Sequence, residues 1–333
     1  MSPASPESDA APALPSTPDD ARLNNRKITM DFTPRPLAFS SAALNGLSER
    51  LVASHHTNDY TGAVTRLNAI RTQLQALDFA SAKVFQLNGL KREELIATNS
   101  MLLHELYFAS LGGDGKTMVP AMALALDASF GSVDRWRAEF VAMGKALGGG
   151  SGWVLLAFLP RDGSLVNQWA ADHTDALAGG IPILALDMYE HAYHLDYGAA
   201  AGAYVDAFMA NIDWAPVYDR YQGAVHGASE PFAASQDDVA QAQLLDVRRA
   251  GMFDKTETMI PGATWRDPAA VATWARDVPR DQEVVVYCVY GHEVGRATAL
   301  RLRAQGVRAR FLRGGIDGWQ AAGRPVDPKG TAS

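Results

Sequence analysis

The six histidines between residues 55 and 194, together with Asp187, are candidate ligands for a transition metal. They are His55, His56, His104, His173, Asp187, His191 and His194. Asp187 and His191 are four positions apart, a spacing that lets two ligands converge. Imidazoles with a carboxylate suit iron, manganese or zinc, and such a set with an open position favours redox-active iron or manganese. A histidine on an apolar helix face, such as His55 or His104, is more often a packed core residue, so spacing alone leaves both interpretations open.

A second candidate for chemistry is Cys288, the only cysteine of the chain. It follows a strand-like run, residues 284–287, and precedes a predicted helix, so loop amides and the helix N-terminus can stabilise its thiolate and lower its pKa. The alternative is a small, buried core residue. Its position after a strand favours the nucleophile. The loop that follows consists of Val289, Tyr290, Gly291, His292 and Glu293.

The elements that must position the histidines are helices followed by strands. Apolar periodicity predicts helices over residues 47–77, 92–111, 130–147 and 201–210. Strand-like runs lie at residues 152–158, through Trp169 after a hairpin turn, and at residues 182–187. This order predicts an α+β domain, with a helical hairpin and a three-stranded antiparallel sheet with helices.

Around Cys288, predicted strands and helices alternate along the sequence. Residues 243–247 and 283–287 are typical of buried parallel strands, and a helix over 294–305 leads to a further strand at 309–312. This strand–helix–strand spacing is that of a βαβ unit. It predicts a second, α/β domain with a parallel sheet and flanking helices.

Composition divides the chain of 333 residues into two predicted domains with flexible connections. Residues 1–28, rich in Ser, Pro, Ala and Asp, are predicted to be a disordered tail. The first domain is predicted over residues 29–225 and the second over residues 239–328. Residues 226–238 lack periodicity and are predicted to be a linker, and residues 329–333 form a short tail.

Charge and cysteine content exclude several classes of protein. The net charge is −7, which argues against a nucleic-acid binder. No apolar run approaches the roughly 20 residues that cross a bilayer. One cysteine cannot form an intrachain disulfide. Because the N-terminus carries acids and prolines where a secretory signal would carry basic and then apolar residues, we expect a soluble cytoplasmic protein without a membrane partner.

Residues 186–197 (LDMYEHAYHLDY) resemble the D-x-W-E-H-A-Y signature of the iron/manganese superoxide dismutases. The resemblance extends over about residues 30–222 and includes Gly150-Ser151-Gly152-Trp153 and Asn211-Ile212-Asp213-Trp214. It implies dismutation of superoxide to oxygen and hydrogen peroxide by one iron or manganese ion per subunit, with a water or hydroxide as fifth ligand. The implied protein ligands are His55, His104, Asp187 and His191.

The same resemblance implies roles around the metal and between subunits. His173 matches the place of a glutamine that contacts the metal-bound solvent; the alternative is a surface histidine in a turn. Glu190 corresponds to a glutamate that bonds the ligand histidine of the partner, which implies a homodimer or tetramer. The other residues implied near the metal or the interface are Asp59, Tyr60, Trp153, Tyr189 and His194.

Several positions depart from the family pattern. Ala63 stands where a tyrosine usually gates the substrate, and Tyr189 replaces the signature tryptophan. Asp59 and His194 replace a histidine and a tyrosine that meet across the dimer interface, so an Asp–His pair could form the same link. These departures put the proton-delivery route in question and leave the four implied ligands intact.

The second domain resembles a single rhodanese domain over about residues 238–326. The matching text is Leu245-Asp246-Val247-Arg248, Ile260-Pro261-Gly262-Ala263, Val285-Val286-Tyr287-Cys288 and Gly314-Gly315-Ile316-Asp317-Gly318-Trp319. The resemblance implies a thiosulfate or thiol sulfurtransferase in which Cys288 carries a persulfide between a small sulfur donor and a thiol or cyanide. Glu293 stands where many members have Arg or Lys, which argues against an anionic donor. The loop is similar to rhodanese-like proteins of bacterial chromate-resistance clusters.

Three functions remain open at this point. The first is an antioxidant enzyme of oxidative-stress or chromate resistance, with a dismutase joined to a sulfurtransferase. The second is a metal- or redox-sensing module in which Ala63 and Glu293 mark lost turnover. The third is a dismutase whose rhodanese-like domain only binds a partner or an oxyanion.

Overall fold

The computed structural model describes residues 31–329, and its first helices carry two of the histidines. Helix α1 (Glu49–Ser54) begins at Ser48, whose side chain accepts a hydrogen bond from the amide of Leu51. A π-helical segment (His55–Tyr60) follows, and α2 (Thr61–Ala76) continues from it. The predicted helix over 47–77 is therefore interrupted by a wider turn, a feature often found at functional sites.

A helical hairpin is completed by α3 (Val84–Phe108), which begins earlier than the predicted residue 92. Two further helices, α4 (Pro120–Phe130) and α5 (Val133–Ala146), follow. Gly131, with φ of 91°, ends α4 in a left-handed conformation that favours glycine. Ser132 caps α5 by accepting a hydrogen bond from the amide of Arg135.

The first sheet has the predicted three antiparallel strands. They are β1 (Trp153–Leu159), β2 (Ser164–Ala170) and β3 (Ile181–Asp187), in the order β2–β1–β3. Trp153 pairs with Asp187 in this register, so the end of β3 lies beside the start of β1. Three helices follow, namely α6 (His194–Tyr197), α7 (Ala201–Ala210) and α8 (Trp214–Ser229). The α+β prediction is confirmed.

The second sheet has five parallel strands in the order β4–β9–β8–β5–β7. The strands are β4 (Ala233–Ala234), β5 (Gln243–Asp246), β7 (Thr264–Trp265), β8 (Glu283–Tyr287) and β9 (Arg308–Leu312). The flanking helices are α9 (Ala250–Phe253), α10 (Val271–Trp274), α11 (Glu293–Ala304) and α12 (Gly315–Ala321). A separate antiparallel pair joins β6 (Thr258–Met259) to β10 (Asp327–Pro328). The predicted βαβ unit is β8–α11–β9.

Residues 226–238 differ from the predicted flexible linker. Helix α8 continues through Ser229, which is fully buried, and strand β4 pairs in parallel with Phe311 and Leu312. Because this backbone is paired with its neighbours, the segment is part of the packed structure rather than a tether. The tail predicted over residues 1–28 lies outside the described residues, as do residues 330–333.

The two parts of the chain pack directly on each other through α11. Ala297 and Leu300 of this helix belong to the apolar cluster of the first part, while Leu302 belongs to that of the second sheet. Arg301 adds a hydrogen bond of 2.9 Å from its Nη2 to the Ser129 hydroxyl. Among residues 31–329, no helix is both long and apolar enough to span a membrane.

Candidate metal centre and cysteine pocket

Four predicted ligands, His55, His104, Asp187 and His191, meet at one buried point. One donor atom from each lies within 4.8 Å of the others. Asp187 Oδ2 is 3.0 Å from His55 Nε2, 3.1 Å from His191 Nε2 and 3.4 Å from His104 Nε2. The four come from the π-helical segment, α3, the end of β3 and a short 3₁₀ turn at residues 190–192.

Neighbouring groups fix the orientation of these side chains. His104 Nδ1 donates to the Ser100 carbonyl oxygen at 2.7 Å, which leaves Nε2 without a proton and turned toward the cluster. Asp187 Oδ1 accepts from the Tyr189 amide at 2.9 Å, which leaves Oδ2 for the centre. The His55 ring packs between Tyr107 and Phe108, with centroid separations of 5.0 and 4.9 Å. These contacts orient the side chains toward the centre of the cluster.

The protonation states of the cluster suit metal binding. Burial lowers the pKa of His104 to about 3, and burial also lowers the pKa of His55, so both rings are neutral at physiological pH. Burial alone would raise the pKa of Asp187, but His191 and the hydrogen bonds from His191 and His55 hold that pKa well below its usual range. Burial alone would lower the pKa of His191, yet Asp187 raises it. The neutral imidazoles of His55 and His104 beside one buried carboxylate fit a transition-metal cation.

An aromatic stack extends from the cluster to His173. Trp153 Nε1 donates to His173 Nδ1 at 3.0 Å. The His173 ring stacks on Tyr189 at 4.6 Å, and Tyr189 stacks on His191 at 5.4 Å. Burial lowers the pKa of His173. The residue is therefore packed against Trp153 and Tyr189 rather than free in a surface turn.

Asp59 has a neighbour that the sequence did not indicate. Its Oδ1 lies 3.4 Å from His191 Nδ1, the ring nitrogen opposite the one that faces Asp187. The predicted link from Asp59 to His194 joins two subunits and stays a prediction, as does the role of Glu190; both His194 and Glu190 are exposed in the single chain. Tyr60 is buried and donates from its hydroxyl to Glu105 at 3.1 Å.

Two contributors to the centre were missed by the sequence analysis. Tyr204, on α7, donates from its hydroxyl to the Asp187 carbonyl oxygen at 2.8 Å and is fully buried. Ser100 acts through its backbone carbonyl, which any residue type provides. A buried tyrosine on an apolar helix resembles ordinary core, so neither residue has a local signal in the sequence.

Cys288 directly follows β8 and lies at a cavity of about 90 Å³. Residues lining this cavity include Arg248, Arg249, Met252, Tyr290, His292 and Glu293. Burial raises the pKa of the Cys288 thiol, the amides of Gly295 and Gly291 oppose this, and the net shift is upward. The expected lowering of this pKa is therefore wrong, because burial outweighs the loop amides.

The first part of the chain holds a cluster of three histidines and one aspartate, and the second part is a parallel sheet with a cysteine directly after one strand. Each part matches a family model. The model of the C-terminal domain of iron/manganese superoxide dismutases matches residues 118–220, and that of the rhodanese-like domain matches residues 230–322. The rhodanese match thus begins inside the segment predicted as a linker.

Several superoxide dismutases match this chain over most of their own length. The iron superoxide dismutase of Cupriavidus metallidurans is 64% identical over 196 residues, which are 59% of this chain and 99% of that protein. A manganese superoxide dismutase of Halobacterium salinarum is 36% identical, over 54% of this chain and 88% of that protein. The iron superoxide dismutase of Aquifex pyrophilus is 33% identical, over 55% and 87%. The chain belongs to the iron/manganese superoxide dismutase family and carries a rhodanese-like domain after it.

Proposed function

We propose that this chain is a superoxide dismutase in which His55, His104, Asp187 and His191 hold one redox-active metal ion. The observation that carries the proposal is the convergence of four donor atoms from four separate segments within 4.8 Å. The bound ion would supply one-electron exchange with superoxide, which disproportionates to oxygen and hydrogen peroxide. We propose iron as that ion, because the relative at 64% identity is named an iron enzyme.

The charges of the four proposed ligands favour an anionic substrate at the metal. Asp187 is the only anionic member of the four, and the rings of His55 and His104 are neutral because burial lowers their pKa values. A single carboxylate does not cancel the charge of a divalent or trivalent ion, so the centre stays positive. Superoxide is therefore attracted to it.

Two residues next to the cluster, Asp59 and His173, would orient a ligand and offer an N–H group. The carboxylate of Asp59, 3.4 Å from His191 Nδ1, would keep a proton on that nitrogen and direct Nε2 to the metal. Neutral His173 accepts from Trp153 at Nδ1, so it carries its own proton on Nε2. That N–H makes His173 a candidate hydrogen-bond donor to the metal-bound solvent.

For the second domain we propose sulfur transfer through Cys288. Its thiolate would take a sulfane sulfur atom from a small donor, whose remainder leaves with the electron pair of the broken bond, and would pass the atom to a thiol or cyanide. The match of a rhodanese-like domain over residues 230–322 and the position of Cys288 at the end of β8 support this. With one cysteine in the chain, any resolving thiol belongs to another molecule.

We also propose a homodimer in which Glu190 of each subunit meets His191 of the other. The exposure of Glu190 beside the predicted ligand supports this arrangement. Absence of a possible intrachain disulfide is consistent with a reducing compartment such as the cytoplasm. Light scattering of the parent chain and of Glu190→Ala measures the dimer directly.

The test is metal analysis of the purified full chain together with a superoxide-removal assay, repeated on His104→Ala. We expect about one iron per chain and rapid removal of superoxide in the parent, and loss of both in the variant. Bound metal with negligible superoxide removal would favour the metal- or redox-sensing alternative instead. Persulfide formation on Cys288, followed by mass spectrometry, tests the second activity separately.

A further inference from the structure

Glu293 lies where the cysteine cavity meets helix α8 of the dismutase domain. The residue lines the cavity with Cys288 and is only 5% exposed. Its Oε2 accepts a hydrogen bond of 3.0 Å from Gln222 Nε2 on α8. The same Nε2 lies 2.9 Å from the hydroxyl oxygen of Tyr218, one turn earlier. Neutral side chains of one domain therefore hold a carboxylate at the reactive cysteine of the other.

Nearby guanidinium groups are engaged elsewhere. Arg296 donates from Nε to the Gly291 carbonyl oxygen at 2.8 Å and from Nη1 to Glu230 at 2.9 Å. Arg248 is buried and donates from Nε to both carboxylate oxygens of Asp246, at 3.0 and 2.9 Å. Within residues 31–329, Glu293 forms no ion pair, so its negative charge acts on the cavity.

Arg249 is the counterpart of Glu293 on the cavity wall. It is half-buried and lines the same cavity, and over the described part of the chain it too forms no ion pair. The wall thus presents one negative and one positive side chain. The charge of Glu293 acts at Cys288, whose pKa it helps to raise beyond the effect of burial. A ligand with a net negative charge therefore meets repulsion at the sulfur that an uncharged or zwitterionic ligand does not meet.

We propose that helix α8 is a functional wall of the Cys288 site, and that Gln222 and Tyr218 hold Glu293 there to exclude anionic sulfur compounds. Uncharged or zwitterionic thiols and persulfides are the ligands that this site admits, and thiosulfate is one that it rejects. Glu293 is a specificity-determining residue, while Gln222 and Tyr218 are positioning residues. The inference rests on the proposal that Cys288 is the reactive thiol.

The experiment compares two alkylating agents of similar size on the full chain, neutral iodoacetamide and anionic iodoacetate. Because Cys288 is the only cysteine, thiol alkylation reports on this site alone. Both reagents need the thiolate, so the ratio of their second-order rate constants at one pH cancels the thiolate fraction. In Glu293→Gln the positive charge of Arg249 is unopposed, and we expect the iodoacetamide-to-iodoacetate ratio to fall about five- to tenfold.

Helix α8 is tested by Gln222→Leu, which removes the amide that donates to Glu293. It is also tested by Tyr218→Phe, which removes the hydroxyl that hydrogen-bonds Glu293 and Gln222, and by the combination of the two. The ratio is expected to fall in the same direction as in Glu293→Gln. Asp219→Asn is the control, since it removes an exposed charge from the same helix and should leave the ratio unchanged. Thermal melting checks whether each variant is folded. If the double variant does not fold, the alkylation ratio of Tyr218→Phe, which keeps the aromatic ring, decides whether α8 has this role.

A ratio in Glu293→Gln that stays within about twofold of the parent overturns the charge filter. A fall in Glu293→Gln without any fall in the α8 variants overturns the role of the helix. Alkylation needs no sulfur donor, so a chain that never forms a persulfide would contradict the proposed sulfur transfer and still give a readable ratio. Failure of the inference and failure of the proposed function are therefore distinct results.

Discussion

The metal centre and the cysteine pocket are built in opposite ways. Four side chains from distant segments make the first, and every one comes from the dismutase domain. The second is centred on the loop after β8 and its amides. Arg248, Arg249 and Met252 complete the cavity wall, and Gln222 of the other domain contacts it through Glu293. Convergence of distant side chains predicts a site that is lost when one member is removed. In a site centred on a loop, the cysteine should stay reactive when a neighbouring residue is replaced, and only its preference among reagents should change.

The largest effect is expected from Asp187→Asn. The change removes the only anionic donor of the cluster and leaves the shape nearly intact, so metal affinity should fall more than about a hundredfold. Superoxide removal should be lost with it. Metal content after dialysis and a superoxide assay measure the result, while iodoacetamide labelling of Cys288 should stay within about twofold of the parent. Full metal occupancy in the variant would show that Asp187 is not a ligand.

Leu300 and Leu302 lie on the same helix, α11, and test whether the two domains are one cooperative unit. Both are buried, but Leu300 packs into the apolar cluster of the dismutase domain and Leu302 into that of the second sheet. Truncation of either to alanine should cost about 2–5 kcal/mol of unfolding free energy. Only Leu300→Ala should weaken the contact between the domains.

Calorimetry distinguishes the two variants of α11. The parent and Leu302→Ala should unfold in a single transition, whereas Leu300→Ala should show two. Two separate transitions in the parent would mean that the interface between the domains contributes little to stability.

Local sequence signals predicted most of the fold, whereas the complete set of four ligands followed from the family resemblance, because spacing alone left His55 and His104 open as core residues. Asp187 and His191 lie in one short run, and His55 and His104 lie on helices whose apolar period is clear. The π-helical turn at His55–Tyr60 was not predictable, because side chains at three- and four-residue steps suit an α-helix equally. Contacts made by a backbone carbonyl, as at Ser100, carry no residue-type signal.

The junction between the domains was predicted wrongly for a different reason. Gly227 and Pro231 lie in a polar stretch that is typical of a linker. Ser229 is nevertheless buried, because Arg296 of the second domain donates to its hydroxyl at 3.2 Å. Arg296, more than sixty residues away, stabilises this segment, and no local sequence pattern predicts that contact.

A moderate effect is expected from Asp59→Asn. The asparagine keeps the size of the side chain but loses the charge that faces His191 Nδ1, so metal affinity should fall roughly 10- to 100-fold. The rate of metal release to a chelator measures it without reference to turnover. Glu49→Gln, an exposed carboxylate on α1, is the control and should release metal at the parent rate. Equal rates of metal release in Asp59→Asn and the parent would show that groups other than Asp59 orient His191.

The smallest effect concerns the pH dependence of Cys288 alkylation. Burial raises the pKa of the thiol, and Glu293 adds to this, so the thiolate fraction at neutral pH is small and the rate should rise steadily with pH. Its midpoint should lie above that of an ordinary thiol, since the pKa is raised. Glu293→Gln should move the midpoint down, by less than burial moved it up, because burial is the larger cause. A midpoint below that of a free thiol in the parent chain would mean that the loop amides outweigh burial after all.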